Sequence, residues 1–493
     1  MARRVSILLV FAVASLFLAG TFIYQAPSRP STTFGTDTNF QSATGERILA
    51  EKRPLRIAFV ETGGSHDEVL AALVNSWGKL PGAELTFFQR LSRYGSHDIM
   101  RTFDLSNPIP DHRGMDDFRR ADENQPVPDI VVATTCEFDM RKYQENMTVL
   151  LENHKTYLFC VIHHADRWGY EKHHLEEALT PWVRANRAEF LALSPHTAEF
   201  LLEQSLKKWK VVKEEGHQPL VRHFVPVFPV QLPPIPTDDS NLSFGLQGDF
   251  GQERRDYKMV FRRLGEFLKP ASAKPLPPSS PQGPAVPAKR DESEDEEAQT
   301  KIETQPRNIT LHLVGHGRHP PVPAEVVNNV VFDEGLNYID FYTILSRCFA
   351  LLPAFATPEY LDRKASSTVP ASLIAGTPLV ATKAIISAYA YLTEEAVWLQ
   401  DESETDFDVI GRVLRMSNED RKAKSTKVRE LRQQIIDENI NLARKWTLEA
   451  FKKIGVRTYS CVVALFDRKT STPKVKRHFE AGERYRSGES GCV

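Results

Sequence analysis

The chain lacks any strong charge of one sign: over 493 residues the net charge is −2. That balance gives no reason to expect a surface built for nucleic acid or for an anionic membrane. Cysteine is scarce. The five present (Cys136, Cys160, Cys348, Cys461 and Cys492) are too few and too scattered for a disulfide framework, and no spacing among them suggests a metal site. Cys160 and Cys348 sit inside apolar patterns and read as buried thiols. No Asp-x-Asp pair ends a strand pattern, so no carboxylate loop for a metal is evident, and the acidic run at 291–297 falls in a stretch with almost no large apolar residues. Long hydrophobic runs are also absent, with one exception. Val5 to Tyr24 is 20 residues without a charge, preceded by Arg3 and Arg4.

That run is long enough to cross a bilayer core, and the leading arginines favour a cytosolic N-terminus. A cleavable signal peptide is the competing reading, given small residues such as Ala14, Ala19 and Gly20. Length favours the anchor, and both readings put the body in the secretory lumen, in the endoplasmic reticulum or Golgi. Sequons at Asn146, Asn241 and Asn308 are compatible with that placement.

What is there is an ordinary globular body, 41% hydrophobic and 26% charged, long enough for two or three domains. Residues 25–53 read as a flexible stem. A first domain, 54–235, opens with the strand LRIAFV (55–60), a loop holding Gly63 and Gly64, then a helical pattern entered past Ser65, His66 and Asp67. Strand, glycine loop and helix in that order begin a doubly wound sheet, and a Gly-Gly turn lets backbone approach a ligand. Four continuous apolar runs follow (83–88, 129–134, 156–162, 189–194), as strands covered on both faces should read. The last leads into an amphipathic helix, PHTAEFLLEQSLKKW, and VRHFVPVFPV (221–230) closes the series.

A second domain, 240–440, starts with a strand ending at Gln247-Gly248. Arg254, Arg255 and Lys258 then stand at a helix start, where basic side chains oppose the dipole unless an anion joins them. Residues 269–306, rich in proline and then acidic, cannot bury a core and read as a disordered insertion. The fold resumes at ITLHLVGHG (309–317). The stretch Asn329 to Lys383 then carries strand, helix, strand, polar loop, helix and strand. In its first helix, Ile339, Tyr342, Leu345 and Ser346 share a face, and FALLPAF is the buried strand after it. Its loop holds Tyr360, Arg363 and Lys364 and runs into Ser366, Ser367 and Thr368, hydroxyls that can cap the next helix. The free N–H groups of such a helix start, beside a lysine, also suit a diphosphate. Helical patterns through 408–455 follow the late strand EEAVWLQ, with 441–468 as a closing segment and a polar tail from about 469.

The run LLPAF, EY, DRKASSTVPASLIAGTPLVA resembles the donor-binding half of GT-B glycosyltransferases, in particular fungal family-1-like, membrane-anchored members. The resemblance implies an α/β protein of two Rossmann-like lobes after a transmembrane helix, with the donor in the second lobe and the acceptor in the first. It implies glycosyl transfer, of hexosyltransferase type, from a nucleoside-diphosphate sugar to a glycan, lipid or protein. No cofactor, metal or nucleic acid is implied, and residues 5–24 would hold the membrane. Arg254, Arg255, Lys258, Tyr360, Lys364, Ser366, Ser367 and Thr368 fall where the donor binds, with Gly248 in the loop before them. A terminal helix returning to the first lobe is implied at 441–454. Many relatives carry two glutamates eight apart, and Arg363 and Ala371 occupy those positions here.

Transfer with inversion needs a base for the acceptor hydroxyl. His163 and His164, at the end of the strand TYLFCVI, are the first candidates, followed by His66 and then His196, with Asp67 and Asp166 as carboxylate alternatives. Strand-end placement is the reason in each case, since ligand crevices form there. Two other functions stay open: an epimerase of the same fold, and a degenerate fold member that only binds.

Overall fold

In a computed structural model, residues 54–91, 93–119, 127–235, 242–269 and 309–455 are described. The apolar run 5–24, the stem, the sequons at Asn241 and Asn308, nearly all of the insertion and the polar tail lie outside those residues. Among the described residues no helix is long and apolar enough to cross a membrane.

Two parallel sheets form the body. The first has seven strands: β1 (Leu55–Glu61), β2 (Ala83–Gln89), β3 (Asp111–Gly114), β4 (Ile130–Ala133), β5 (Tyr157–Ile162), β6 (Ala188–Ala192) and β7 (Leu220–His223). Their order is 3-2-1-4-5-6-7, the doubly wound pattern with its reversal between β1 and β4. The second has six: β8 (Leu242–Asp249), β9 (Ile309–His316), β10 (Val330–Glu334), β11 (Ala350–Leu351), β12 (Leu379–Thr382) and β13 (Val397–Gln400), in the order 10-9-8-11-12-13. Both centres are dry. β4 and β5 are buried at every residue, which is why they read as unbroken apolar runs.

Several expectations change on contact with the fold. VRHFVPVFPV yields a strand only to His223, and FALLPAF only Ala350–Leu351, because Pro226 and Pro353 cannot donate to a ladder. β3, the polar DHRG at the sheet edge, has no apolar signal to announce it. The helix after β6 keeps α pitch only over Pro195–Phe200, then passes through a π segment (Leu201–Ser205) and a 3₁₀ turn (Leu206–Lys208). Ile339 is 58% exposed although Tyr342, Leu345 and Ser346 are buried on the same helix, so the buried face is narrower than the pattern suggested. Cys136 and Cys160 form a disulfide, which corrects the reading of Cys160 as a free thiol; Cys348 is a buried thiol as expected. The bridge escaped notice because 24 residues separate its partners, one of them outside any strand pattern.

A 36-residue helix, Asn418–Lys453, spans both lobes. Its Arg432 donates to Ile374 O in the second lobe at 2.9 Å, while Asn439 donates to Val225 O in the first at 2.8 Å. Trp446 packs beside Trp77 and Phe159. The return to the first lobe is thus made by one continuous helix, and Ser417 caps its start through Asp420 N.

Candidate functional site

The C-terminal ends of the two sheets face one crevice, and contacts across it name its walls. Tyr338 donates its hydroxyl to Asp67 at 2.9 Å, and Tyr94 lies 2.9 Å from Nε2 of His316. His196 is a bracket between lobes, with Nδ1 2.9 Å from Ala388 O and Nε2 3.1 Å from Lys364 O. Its ring nitrogens are occupied by backbone carbonyls of the second lobe, so it is poorly placed to take a proton from a substrate.

On the second lobe, Arg255 is 3% exposed. It sits there because β8 ends at Asp249 and a tight turn returns the chain beside Phe355. The guanidinium donates to Thr368 Oγ1 at 2.5 Å, Ser366 Oγ at 3.4 Å and Gln247 O at 3.3 Å. It also lies 5.7 Å and 5.6 Å from the ring centres of Phe355 and Tyr360, which stack on each other. Its Nε is buried without a partner, and no carboxylate pairs with it among the described residues. Burial lowers its pKa, and Tyr360, Tyr257 and Tyr389 oppose that. Gly248 lies against this group with φ +134°, and its backbone approaches Gly315 so closely that a Cβ there would sit 1.8 Å from Gly248 O. A side chain at Gly315 would push β8 and β9 apart, and one at Gly248 would press on the Arg255 guanidinium at 3.3 Å.

The other basic candidates diverge. Arg254 is exposed and reaches toward His66, whose pKa its charge helps to lower. Lys258 is exposed on the first turn of the helix Tyr257–Leu268. That helix start needs no outside anion, because Asp256 caps it through Met259 N at 2.9 Å. Lys364 is paired with Glu359 at 2.6 Å, as is Arg363, so the loop's cationic character is largely neutralised within the loop. Ser366 and Thr368 turn their hydroxyls to Arg255, whereas Ser367 is exposed and only grazes Gln247 at 3.5 Å. The capping expectation holds for Ser366, which accepts from Thr368 N at 3.3 Å, and not for Ser367, the residue at the cap position.

On the first lobe the three histidines do meet. The rings of His66 and His163 lie tilted by 30° with centroids 3.7 Å apart, and charge on either His163 or His164 would depress His66. Burial lowers the pKa of all three, His66 well below its ordinary value and His164 to about 4. His163 donates from Nε2 to Thr134 O at 2.7 Å, which leaves Nδ1 as the lone-pair nitrogen of the neutral ring. His66 Nδ1 is buried with no partner. Asp166 has one buried oxygen without a partner, and Asp67, raised to about 7 by burial, faces Tyr338. Asn146, the described sequon, is half-buried in the helix Gln144–Glu152 with its amide toward Phe118 O.

The Gly63-Gly64 amides do not face an open anion site. They donate to Glu61, Gly63 N at 2.9 Å and Gly64 N at 2.8 and 2.6 Å to its two oxygens. Glu61 is 1% exposed, so the chain fills this nest with its own carboxylate. Sequence reasoning missed Glu61, although an acid closing an apolar strand at a ligand-bearing edge is a legible signal. It also missed Glu137, whose Oε1 accepts from His163 N, His164 N and Trp168 Nε1 and so fixes the histidine turn. Nothing in sequence pairs Glu137 with a loop 26 residues on.

Two open, doubly wound lobes meet across a crevice at their strand ends. This is the GT-B type of architecture. No protein-family model matches the sequence, and no curated protein matches it. Solved structures similar to the chain include HepE of Anabaena in complex with UDP-glucose, at 12% identity and TM-score 0.48, covering 80% of this chain and 99% of that one. A glycosyltransferase from Rickettsia africae is similar at 10% identity and TM-score 0.49, over 83% and 100% of the two chains. The lipopolysaccharide outer core galactosyltransferase WaaB follows at 13% and 0.43, over 79% and 98%.

Proposed function

We propose that this protein transfers a glycosyl group, of the hexosyl kind, from a nucleoside-diphosphate sugar to an acceptor bound in the crevice. The observation that carries the reading is Arg255, a buried guanidinium with an unpartnered Nε and, among the described residues, no carboxylate beside it, at the mouth of a parallel sheet. A buried cation without a counter-ion is costly, and a donor diphosphate supplies that counter-ion. Thr368 and Ser366 hold the guanidinium, and Tyr360 and Phe355 fix its plane. In the reaction the acceptor oxygen bonds to the anomeric carbon as the bond to the diphosphate oxygen breaks. The diphosphate leaves against Arg255, and the acceptor proton passes to a neutral imidazole, His163 being the best placed. Arginine takes the part of a metal in this scheme, and no cofactor is invoked.

The protein is read as a type II membrane protein facing the secretory lumen through residues 5–24. The Cys136–Cys160 disulfide supports an oxidising compartment. A second reading, a fold member that binds without turnover, is favoured by Arg363 and Ala371 at the two acidic positions of the resembling family and by Glu61 filling the glycine nest. An epimerase of the same fold acts on the donor alone, and the anchor counts against it. The test is a panel of nucleotide sugars: the transferase binds one, raises its melting temperature with it, and releases free nucleotide on adding acceptor. Binding without turnover of any donor leaves the binder, and release of an epimerised sugar leaves the epimerase.

A further inference from the structure

The first lobe carries a run of positive charge that the donor chemistry does not use. The helix Cys136–Lys142 puts Phe138, Arg141 and Lys142 on one face, three and four residues apart, with Phe138 46% exposed. The Cys136–Cys160 bridge fastens this helix to β5, and Glu137 fastens it to the segment after β5. That segment contributes Arg167, Tyr170, Lys172 and His173. Tyr170 is 54% exposed, the Lys172 ammonium lies 5.5 Å from its ring centre, and His173 meets its edge at 6.2 Å. Arg141, Arg167 and Lys172 make no ion pair with any described residue, yet their charges converge. All three lower the pKa of His173, and Arg167 also lowers that of His164. The Glu137 bonds to His163 N and His164 N hold the two pieces side by side, and the contacts of Lys172 and His173 with the Tyr170 ring carry the strip outward from His164.

We propose that this strip binds the acceptor, and that the acceptor is an anionic glycan whose carboxylate or phosphate groups are met by Arg141, Arg167 and Lys172. The proposal rests on the glycosyl-transfer reading and names the substrate class for it. Exposed Tyr170 and Phe138 offer flat apolar faces to sugar rings, while the cations supply the charge the glycan needs. A planar anionic bilayer fits less well. Asp166, Glu171 and Glu177 lie among the cations, Glu177 paired with His174 at 3.3 Å, and a flat surface would meet all of these carboxylates at once. A chain can pass between them.

The test uses the full-length protein and a hexameric oligogalacturonate beside its neutral methyl ester, which keeps the sugar backbone and caps each charge with a methyl group. The acid form is expected to bind at least about ten-fold more tightly than the ester, and to weaken as salt rises from 50 to 200 mM. On binding, the His173 titration followed by NMR should move upward as the surrounding cations are neutralised. The triple variant R141Q/R167Q/K172Q should lose about ten-fold or more in oligogalacturonate affinity while its affinity for UDP stays unchanged. Equal binding of acid and ester overturns the proposal. So does a protein that ignores the oligogalacturonate but prefers phosphatidylserine vesicles to phosphatidylcholine ones, with that preference lost in the triple variant. Failure of the wild type to bind any nucleotide counts against the transferase reading alone, since the oligogalacturonate comparison still decides the strip.

Discussion

The Tyr338 hydroxyl of the second lobe donates to the Asp67 carboxylate of the first at 2.9 Å, joining the entry of one helix to the entry of another across the crevice. Asp67 is 2% exposed, so this contact is made with a carboxyl group that burial penalises when it is charged. Glu68, Glu61 and Asp98 add negative charge around it and push the same way.

Stability should therefore fall with rising pH through this one group. Its pKa is raised to about 7 in the folded protein, above the ordinary carboxyl value, so the folded state holds the proton more tightly than the unfolded. The contribution is full below about pH 4 and is lost progressively up to about pH 7, for a total on the order of 4 kcal/mol. Asp67→Asn keeps an oxygen for Tyr338 and cannot ionise. Urea denaturation between pH 4 and 8 should show the slope in wild type and a flatter profile in the variant; identical profiles would remove Asp67 as its source.

Arg255 can be tested through its counter-ion. Arg255→Met fills the space without charge and should weaken UDP binding by about 2 to 3 kcal/mol, or thirty-fold and more. Arg255→Lys keeps the charge but loses the fork that reaches Thr368 and Ser366, and should recover only part of that. Calorimetry with UDP gives the answer, and unchanged affinity in both variants would separate Arg255 from the diphosphate. Lys364→Ala should matter much less, since its ammonium is already committed to Glu359.

The sheets were the most legible part of the chain. β4 and β5 read as apolar runs because both of their faces are covered, whereas the pairing of β1 with both β2 and β4 is seen only in the fold. Of the candidate site, the histidines and Arg255 stood out because strand ends and helix starts are where ligand crevices form, and the fold places them at the crevice. What stayed hidden depends on partners far apart in sequence. Lys364 reads as a free cation until Glu359 is seen folded onto it, and the Gly63-Gly64 loop reads as an open nest until Glu61 is seen inside it. A sequence shows where a charge is and not which neighbour has already neutralised it.

His163 should govern turnover rather than donor binding. Its Nε2 is committed to Thr134 O and burial keeps the ring neutral, so Nδ1 is free to accept a proton. His163→Ala should lower kcat by roughly a hundred-fold or more with UDP affinity unchanged. The acid limb of the wild-type kcat profile should lie below the ordinary imidazole range, because the folded pKa is lowered. Loss of nucleotide binding without a change in kcat would reverse the assignment. Adding EDTA should leave that turnover unchanged, and its abolition would show that a metal takes part.

The end of the long helix is held by charge as well as by packing. Glu189 on β6 is fully buried, and its Oε1 accepts from Lys453 Nζ at 3.0 Å and Tyr157 OH at 2.9 Å, its Oε2 from Arg222 Nε at 2.5 Å. Arg222 also pairs with Glu449 on the same helix. Glu189→Gln removes the one carboxylate that Lys453 has, while Arg222 keeps Glu449. A buried pair broken from one side costs about 3 kcal/mol or more, because a charge is left uncompensated. The loss should be local, with faster amide exchange over residues 441–454 and less change in β1 and β4. The exposed pair Arg184 and Glu215 gives the contrast, since Arg184→Ala should leave stability almost unmoved. If Glu189→Gln proves as mild as Arg184→Ala, Glu189 adds little, and the helix is held to the first lobe by Trp446 and its apolar neighbours, the Asn439 bond to Val225 O and the Arg222–Glu449 pair.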